Sequence, residues 1–193
     1  IQDLPAMLKR IRDANAVKLN LGSSGPGSTA HLAEAMFLHF ADARGELIPY
    51  RGTGPALTDL MSGMIDGVID QTVTMLPLHQ DKRVKAIAVT GTARLTQSPD
   101  IPTFAEGGLP EFDLAIWNGL VAPAGTPQPV VEKLAAALSQ AIDTPEFKTR
   151  LEQLAAQAPT TQERGPIAFS DLLKRDSQRV SSLVKSANLL GAN

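Results

Sequence analysis

The sequence predicts an α/β protein with a largely parallel sheet and a C-terminal part made of helices. Segments with strand and helix patterns alternate as far as Ala122, which is the order typical of parallel sheets. After residues 123–125 the pattern changes to helices alone. No run of about 18 apolar residues occurs, so no segment of this chain is expected to span a membrane.

The N-terminal part repeats one design, a strand followed by a glycine-containing loop and a helix. Asp3 and Pro5 start an amphipathic helix that is predicted to end near Asn15. The next strand is predicted at residues 17–21, and the helix after its loop begins at Ser28. Further elements are a strand at 47–50, a helix from Pro55, strands at 67–71, 84–90 and 112–122, and one helical turn at 103–106.

The C-terminal part is predicted to contain three helices without a sheet of their own. Thr126-Pro127 and Thr144-Pro145 each place a hydroxyl cap before a proline at the first helical position. The last helix begins near Pro166. All three carry apolar faces that have to pack against another surface to be buried. We therefore expect their sheet partners to lie in further sequence or in another subunit.

Composition excludes several classes of function. The chain has 18 Lys and Arg against 20 Asp and Glu, scattered along the sequence, so it offers no basic stripe for nucleic acid. One Trp, one Tyr and six Phe are too few for a base-stacking platform. The absence of Cys excludes a thiol nucleophile, a thiolate metal site and a disulfide. The chain begins at Ile1 without a signal-peptide pattern, which we interpret as a processed or truncated product.

The loop at residues 22–29 is the most informative stretch for function. A strand, a glycine-rich loop and a helix N-terminus place free backbone N–H groups at the positive end of a helix dipole, a geometry that binds anions. Ser24, Ser28 and Thr29 add hydroxyl donors for a carboxylate. The alternative is a plain turn in which Ser28 only caps the helix.

The next two predicted strand ends carry polar residues in the same way. In an open parallel sheet, ligands collect beyond the carboxyl ends of the strands, so residues 50–55 and 70–72 are expected beside the first loop. Asp70 has two open readings, as an acceptor for a ligand group or as a cap for the next turn. The candidate ligand-binding residues are Ser24, Gly25, Ser28, Thr29, Tyr50, Thr53, Gly54, Asp70 and Gln71.

Enzymatic readings of the same loop are weaker. Gly22 and Gly27 have the spacing of a phosphate-binding loop, but Ser28 stands where that motif requires lysine. Gly25-x-Gly27-x-x-Ala30 fits the dinucleotide fingerprint, and an NADP-dependent oxidoreductase remains the alternative function. The acid that this motif needs at the end of the second strand is not there. No catalytic residue, metal or cofactor is expected.

Several motifs in order along the chain resemble one family, the Bug-type receptors of tripartite tricarboxylate transporters. They are Ser23-Ser24-Gly25-Pro26-Gly27-Ser28, Pro49-Tyr50-Arg51-Gly52, Pro99-Asp100-Ile101-Pro102-Thr103-Phe104, Trp117-x-Gly119-Leu120 and Ala122-Pro123-Ala124-Gly125-Thr126-Pro127. The resemblance implies a periplasmic-binding-protein-like fold of two α/β lobes with a carboxylate between them. It also implies a non-enzymatic receptor that presents its ligand to the membrane subunits of a transporter.

The resemblance further implies how the chain divides. Residues 1–113 would form the second lobe with the ligand-facing loops, and residues 114–193 the hinge strand and the helical C-terminal part of the first lobe. Members of the family begin with a first-lobe strand and loop that this chain does not contain. We accordingly expect one nearly complete lobe plus part of the other, and a periplasmic location.

Overall fold

Two parallel strands joined by a helix form the centre of the N-terminal unit in the computed structural model, which describes residues 1–13 and 15–186. Strand β1 (Leu19–Ser23) pairs with β2 (Gly45–Pro49), with Leu19 opposite Gly45 and Ser23 opposite Pro49. Helix α2 (Thr29–Phe40) connects them. This arrangement confirms the α/β fold class that the alternating pattern predicts.

Three further helices belong to the same unit, which runs from Ile1 to Ile116. They are α1 (Leu4–Ile11), α3 (Thr53–Ser62) and α4 (Thr72–Gln80). Asp3 caps α1, its Oδ1 accepting from the Ala6 N–H at 2.8 Å, as the sequence predicts. Strand β1 begins two residues later than expected, because pairing with β2 rather than apolar alternation determines where a strand starts.

An aromatic cluster anchors the core of this unit. Phe37 on α2 meets Phe104 and Phe112 edge-on, each with a centroid distance of 6.1 Å, and the latter two lie 4.5 Å apart. These separations are favourable for aromatic pairs. Residues 103–106 form the single turn that the sequence predicts, in which the Glu106 N–H donates to Thr103 Oγ1 at 3.1 Å. The loop after residue 90 thereby becomes part of the core.

Three predicted strands are corrected by the structure. Residues 67–71 contribute only a bridge between Gly67 and Leu21, and residues 84–90 only one between Val89 and Thr103. Residues 112–122 form no strand in the part of the chain that the structure describes. Apolar alternation indicates which residues want to be buried, but a strand also needs a neighbouring backbone to pair with. These segments are extended with almost no such partner.

The second unit begins at Trp117 and consists of helices. They are α5 (Gln128–Asp143), α6 (Pro145–Gln153), a short 3₁₀ helix (Thr161–Glu163) and α7 (Pro166–Ser186). Thr144 caps α6 by accepting from the Phe147 N–H, as predicted. The prediction for Thr126 was wrong, because α5 begins one residue later and Thr126 instead donates to the Pro123 carbonyl at 2.8 Å.

The apolar faces of these helices remain largely exposed, as the sequence leads us to expect of a tail without a sheet. In α5 only Ile142 is buried, whereas Leu134 is 55% and Ile167 on α7 is 80% exposed. Within the described residues, no helix combines the length and apolar character needed to cross a bilayer.

A small cluster around Trp117 fixes the start of the second unit. The Trp117 indole N–H donates to Asp176 Oδ2 at 2.8 Å, and its ring meets Phe169 edge-on at 5.4 Å. Gly119 lies directly against the same Phe169 ring, where an added Cβ would overlap the ring carbons. The glycine is required here by close approach.

We therefore predict that Gly119→Ala destabilises the second unit by about 1–3 kcal/mol, the usual cost of overpacking. Urea unfolding followed by the fluorescence of Trp117, the only tryptophan, measures this directly. Gly54→Ala is the matched control, because a Cβ there meets nothing within 4 Å. It should be neutral or slightly stabilising. Equal losses from both substitutions would contradict the packing account.

Candidate functional site

The loop between β1 and α2 has the shape expected of an anion-binding turn. Gly25 and Gly27 have φ of 111° and 77°, values that glycine adopts at little cost. Ser28 is the N-cap of α2, and its Oγ accepts from the His31 N–H at 3.2 Å. That hydrogen bond leaves the Ser28 hydroxyl proton available to a ligand. The N–H groups of Thr29 and Ala30, in the first turn, have no acceptor inside their own helix.

A second helix N-terminus lies next to this loop. The Tyr50 N–H donates to the Ser23 carbonyl at 2.9 Å, and a Cβ placed on Gly25 would lie 3.3 Å from the Tyr50 carbonyl oxygen. Helix α3 then starts at Thr53 after Gly52, which has a φ of 105° and makes no side-chain cap bond. The first-turn N–H groups of α3, including Thr53 and Gly54, are therefore without a side-chain cap.

The hydroxyl of Tyr50 is already engaged within the protein. It donates to Asp59 Oδ2 at 2.8 Å, and this hydrogen bond, more than any other cause, raises the pKa of the Tyr50 phenol. A ligand would meet the ring and backbone of Tyr50, or would have to share its hydroxyl with Asp59. Sequence reasoning could not detect this, because the two residues are brought together across a turn and a helix start.

The third segment approaches β1 from the side opposite β2. The Gly22 N–H donates to the Gly67 carbonyl and the Asp66 N–H to the Asn20 carbonyl, both at 2.9 Å. Asp70 Oδ1 accepts from the neighbouring Gln71 N–H at 2.7 Å. Gln71 itself is the N-cap of α4 and makes no side-chain cap bond. Asp70 is therefore not the N-cap residue of α4, but its side chain bonds the backbone where that helix starts, so both readings of Asp70 stay open.

These contacts bring three predicted loops to one edge of the sheet. Ser24, Gly25, Ser28 and Thr29 come from the first loop, Tyr50, Thr53 and Gly54 from the second, and Asp70 and Gln71 from the third. Each loop leads into a helix, so the N-termini of α2, α3 and α4 all start at this edge. Whether these nine residues bind a ligand remains a prediction.

Glu34 is a residue at this edge that sequence reasoning missed. It is fully buried on α2, and its Oε1 accepts from the Ile69 N–H at 3.4 Å, one residue before Asp70. Its Oε2 has no hydrogen-bond partner. Burial raises the pKa of Glu34 from 4.5 to about 7, with a further rise from the Asp70 carboxylate and an opposing effect of the Ile69 N–H. The helical spacing from Ala30 to Phe37 would have placed Glu34 on the buried stripe.

The arrangement favours the binding of an anion. No group of three or more His, Asp or Glu able to hold a metal ion is found among residues 1–13 and 15–186. Glu46 lies near the start of β2 and forms an exposed ion pair with Lys18 at 2.6 Å. It is therefore not placed as the ribose-binding acid of a dinucleotide site.

Comparison with known proteins establishes the family. Residues 1–189 match the family described as the tripartite tricarboxylate transporter family receptor. A curated relative from Pseudomonas sp. strain P51, "UPF0065 protein in tcbD-tcbE intergenic region", is 38% identical over 95% of this chain and 54% of its own length. The chain belongs to the tripartite tricarboxylate transporter receptor family, which confirms the resemblance found in the sequence.

Solved structures agree with the fold. The periplasmic binding protein BugD matches with a TM-score of 0.90 and 34% identity, over 97% of this chain and 62% of BugD. MatC from Rhodopseudomonas palustris, solved with bound malate, matches with a TM-score of 0.87 and 34% identity, over 95% and 62% of the two chains. The chain thus spans a little over half of its relatives, as part of a two-lobe fold. None of these relatives supports the oxidoreductase alternative.

We predict that the stability of the first unit falls as pH rises, because of Glu34. In the folded protein its pKa is about 7 instead of 4.5, so between these values the folded state holds a proton that the unfolded chain has lost. The contribution of Glu34 to the free energy of unfolding is fully present below about pH 4.5 and is lost by about pH 8. It amounts to at most about 3 kcal/mol.

Urea unfolding from pH 5 to pH 8 tests this, with Glu34→Gln as the comparison. The amide keeps an acceptor for the Ile69 N–H and carries no charge, so the variant should be the more stable protein at pH 8. Glu111→Gln, at an exposed position, should leave the pH profile unchanged. A wild-type profile equal to that of Glu34→Gln would show that Glu34 does not titrate in this range.

Proposed function

We propose that this chain is the ligand-capturing part of a periplasmic receptor that binds a small carboxylate and does no chemistry on it. The observation that carries the proposal is the convergence of the ends of β1 and β2 and of the segment after Gly67, each leading into a helix N-terminus, at one edge of the sheet. The malate bound to MatC supports a carboxylate as the ligand class.

The first carboxylate of the ligand would lie against the N-terminus of α2. The glycine-rich turn lets the backbone approach closely, with Gly25 half-buried and Gly27 exposed. Ser24, Ser28 and Thr29 would donate hydroxyls, and the first-turn N–H groups would provide the favourable dipole. Together these groups can satisfy a carboxylate without a cationic side chain.

The second and third loops would bind the remaining polar groups of the ligand. Thr53 and Gly54 offer the uncapped N-terminus of α3, a second position for a carboxylate or hydroxyl group. Tyr50 would contribute its ring, which lies beside Gly22 near the end of β1. Asp70 and Gln71 would accept from and donate to polar groups of the ligand, and Asp70 would disfavour a further negative charge next to it.

Membership of the transporter receptor family supports the remaining parts of the proposal. The loaded receptor would deliver its ligand to the membrane subunits of a tripartite transporter. Residues 1–113 would form the ligand-facing lobe and residues 114–193 the hinge strand and helices of the other lobe. Nucleic acid and cofactors have no role in this function.

We predict that Ser28→Asp weakens binding of malate by at least tenfold while leaving the fold intact. Aspartate is as good an N-cap as serine, so α2 keeps its cap. The new charge, however, would face the carboxylate at about 4 Å, where repulsion at an effective dielectric constant near 20 amounts to about 4 kcal/mol. Calorimetric titration of the native protein with malate and a panel of small dicarboxylates measures the loss.

Thr144→Asp is the matched control, since Thr144 caps α6 in the same way but lies in the second unit. It should retain the wild-type affinity. If Ser28→Asp binds malate as tightly as wild type, Ser28 only caps α2 and the carboxylate site is not at this loop. If no carboxylate binds the wild-type protein, the proposed function itself is wrong.

A further inference from the structure

Two buried oxygens without partners lie beneath the first loop. Glu34 Oε2 and Ser23 Oγ are the buried side-chain polar atoms without a hydrogen-bond partner in the described part of the chain. Both residues are completely buried. A buried polar atom without a partner is costly, and two such atoms in one place indicate a group or proton that the pair holds.

The two side chains lie on the same face of the sheet. Gly22 faces α3, because a Cβ placed on it would lie 3.4 Å from Ala56. Ser23, the next residue in β1, points to the opposite face. That face belongs to α2, since a Cβ on Gly45, which pairs with Leu19, would lie 2.9 Å from Leu38 on α2. Glu34 is a buried residue of the same helix.

The register brings the two residues to the same level along the strand. Leu21 is bridged in parallel to Gly67, and the same register continued by two residues would bring Ser23 level with Ile69. Glu34 Oε1 accepts from the N–H of that same Ile69. Neighbouring chains in a sheet are about 4.8 Å apart, so this register places the Ser23 hydroxyl close to the Glu34 carboxyl, although the two do not hydrogen-bond each other.

We propose that Ser23 and Glu34 form a proton-binding site, and that the protein takes up a carboxylate together with a proton. This inference rests on the proposed function. Oε1 is occupied by the Ile69 N–H, so the proton resides on Oε2. The proton comes from solvent when the anionic ligand binds, and returns to solvent when the ligand leaves.

Repulsion between like charges supplies the coupling. Glu34 is five residues after Thr29, a rise of about 8 Å along the helix axis, and helical side chains lean back toward the N-terminus, here toward an anion at the start of α2. An ionised Glu34 would repel that anion, whereas the protonated form would not. At an effective dielectric constant near 20, this difference corresponds to an affinity change of roughly tenfold or more. In the empty protein the pKa of Glu34 is about 7, so its protonation, and with it the affinity for the anion, would change around neutral pH.

The charged groups around Glu34 support this assignment. Asp70 is the ionisable side chain that interacts with it from the neighbouring segment, and it disfavours the ionised form. On α2 itself, His31 lies one turn earlier and its Nδ1 accepts from the Gly27 N–H at 3.4 Å. From β1, the residues on this face are Leu19, Leu21 and Ser23, none of them ionisable. On α4, the ionisable residue is His79, whose ring accepts from the Ala86 N–H.

Calorimetry with malate in two buffers of very different ionisation heat tests the proposal in the native protein. We expect a net uptake of up to one proton per malate, largest near pH 7, and an affinity that falls roughly tenfold between pH 6 and pH 9. Glu34→Gln, which imitates the protonated acid, should bind malate at every pH with the affinity that wild type has at pH 6. Glu111→Gln should behave as wild type.

Saturable binding of malate without proton uptake would overturn the inference and leave the proposed function standing. Proton uptake that persists in Glu34→Gln would overturn it too. No binding of malate or other small carboxylates would defeat the proposed function and this inference together. If Glu34→Gln does not fold, carbon-13 spectra of the Glu carboxyls in wild type decide. One of these carboxyls must titrate near pH 7, and its pKa must rise when malate binds; otherwise the inference fails.

Discussion

The structure of the candidate site depends on β1 being paired along both of its edges. On one side β1 pairs with β2 over five residues. On the other side the Gly22 and Asp66 N–H groups make the hydrogen bonds of a short parallel contact, and Asp66 Oδ2 accepts from the Asn20 N–H at 2.9 Å. Parallel neighbours end at the same edge of a sheet. The three loops that follow are therefore held together by backbone geometry before any side chain is considered.

Local features of this chain could be predicted from the sequence, and non-local ones could not. The caps at Asp3, Ser28 and Thr144 involve a side chain and a backbone N–H three residues away, so the sequence pattern contains the whole interaction. Residues 84–90 have the composition of a strand, but only Val89 forms a β-bridge, with Thr103. Whether a strand forms depends on a segment elsewhere in the chain, which periodicity does not reveal.

The candidate site shows the same division. The strand-end loops could be predicted to converge because parallel topology requires it. The hydrogen bond between Tyr50 and Asp59 could not, because it depends on the path of the chain through Gly52. Glu34 was missed because a charged residue near a helix start is ordinarily placed on the solvent side. A buried acid that breaks the usual pattern is the kind of exception that functional sites contain.

The three helices at the site differ in how their N-termini are capped. Ser28 caps α2 with its own side chain. The N-cap residues of α3 and α4 are Gly52 and Gln71, and neither makes a side-chain cap bond. An anion bound at the edge would therefore serve α3 as a removable N-cap. The first turn of that helix, which begins at Thr53, would then fray less while the site is filled. Amide hydrogen exchange at Thr53 and Gly54 would then be slower while the site is filled and faster after the ligand leaves.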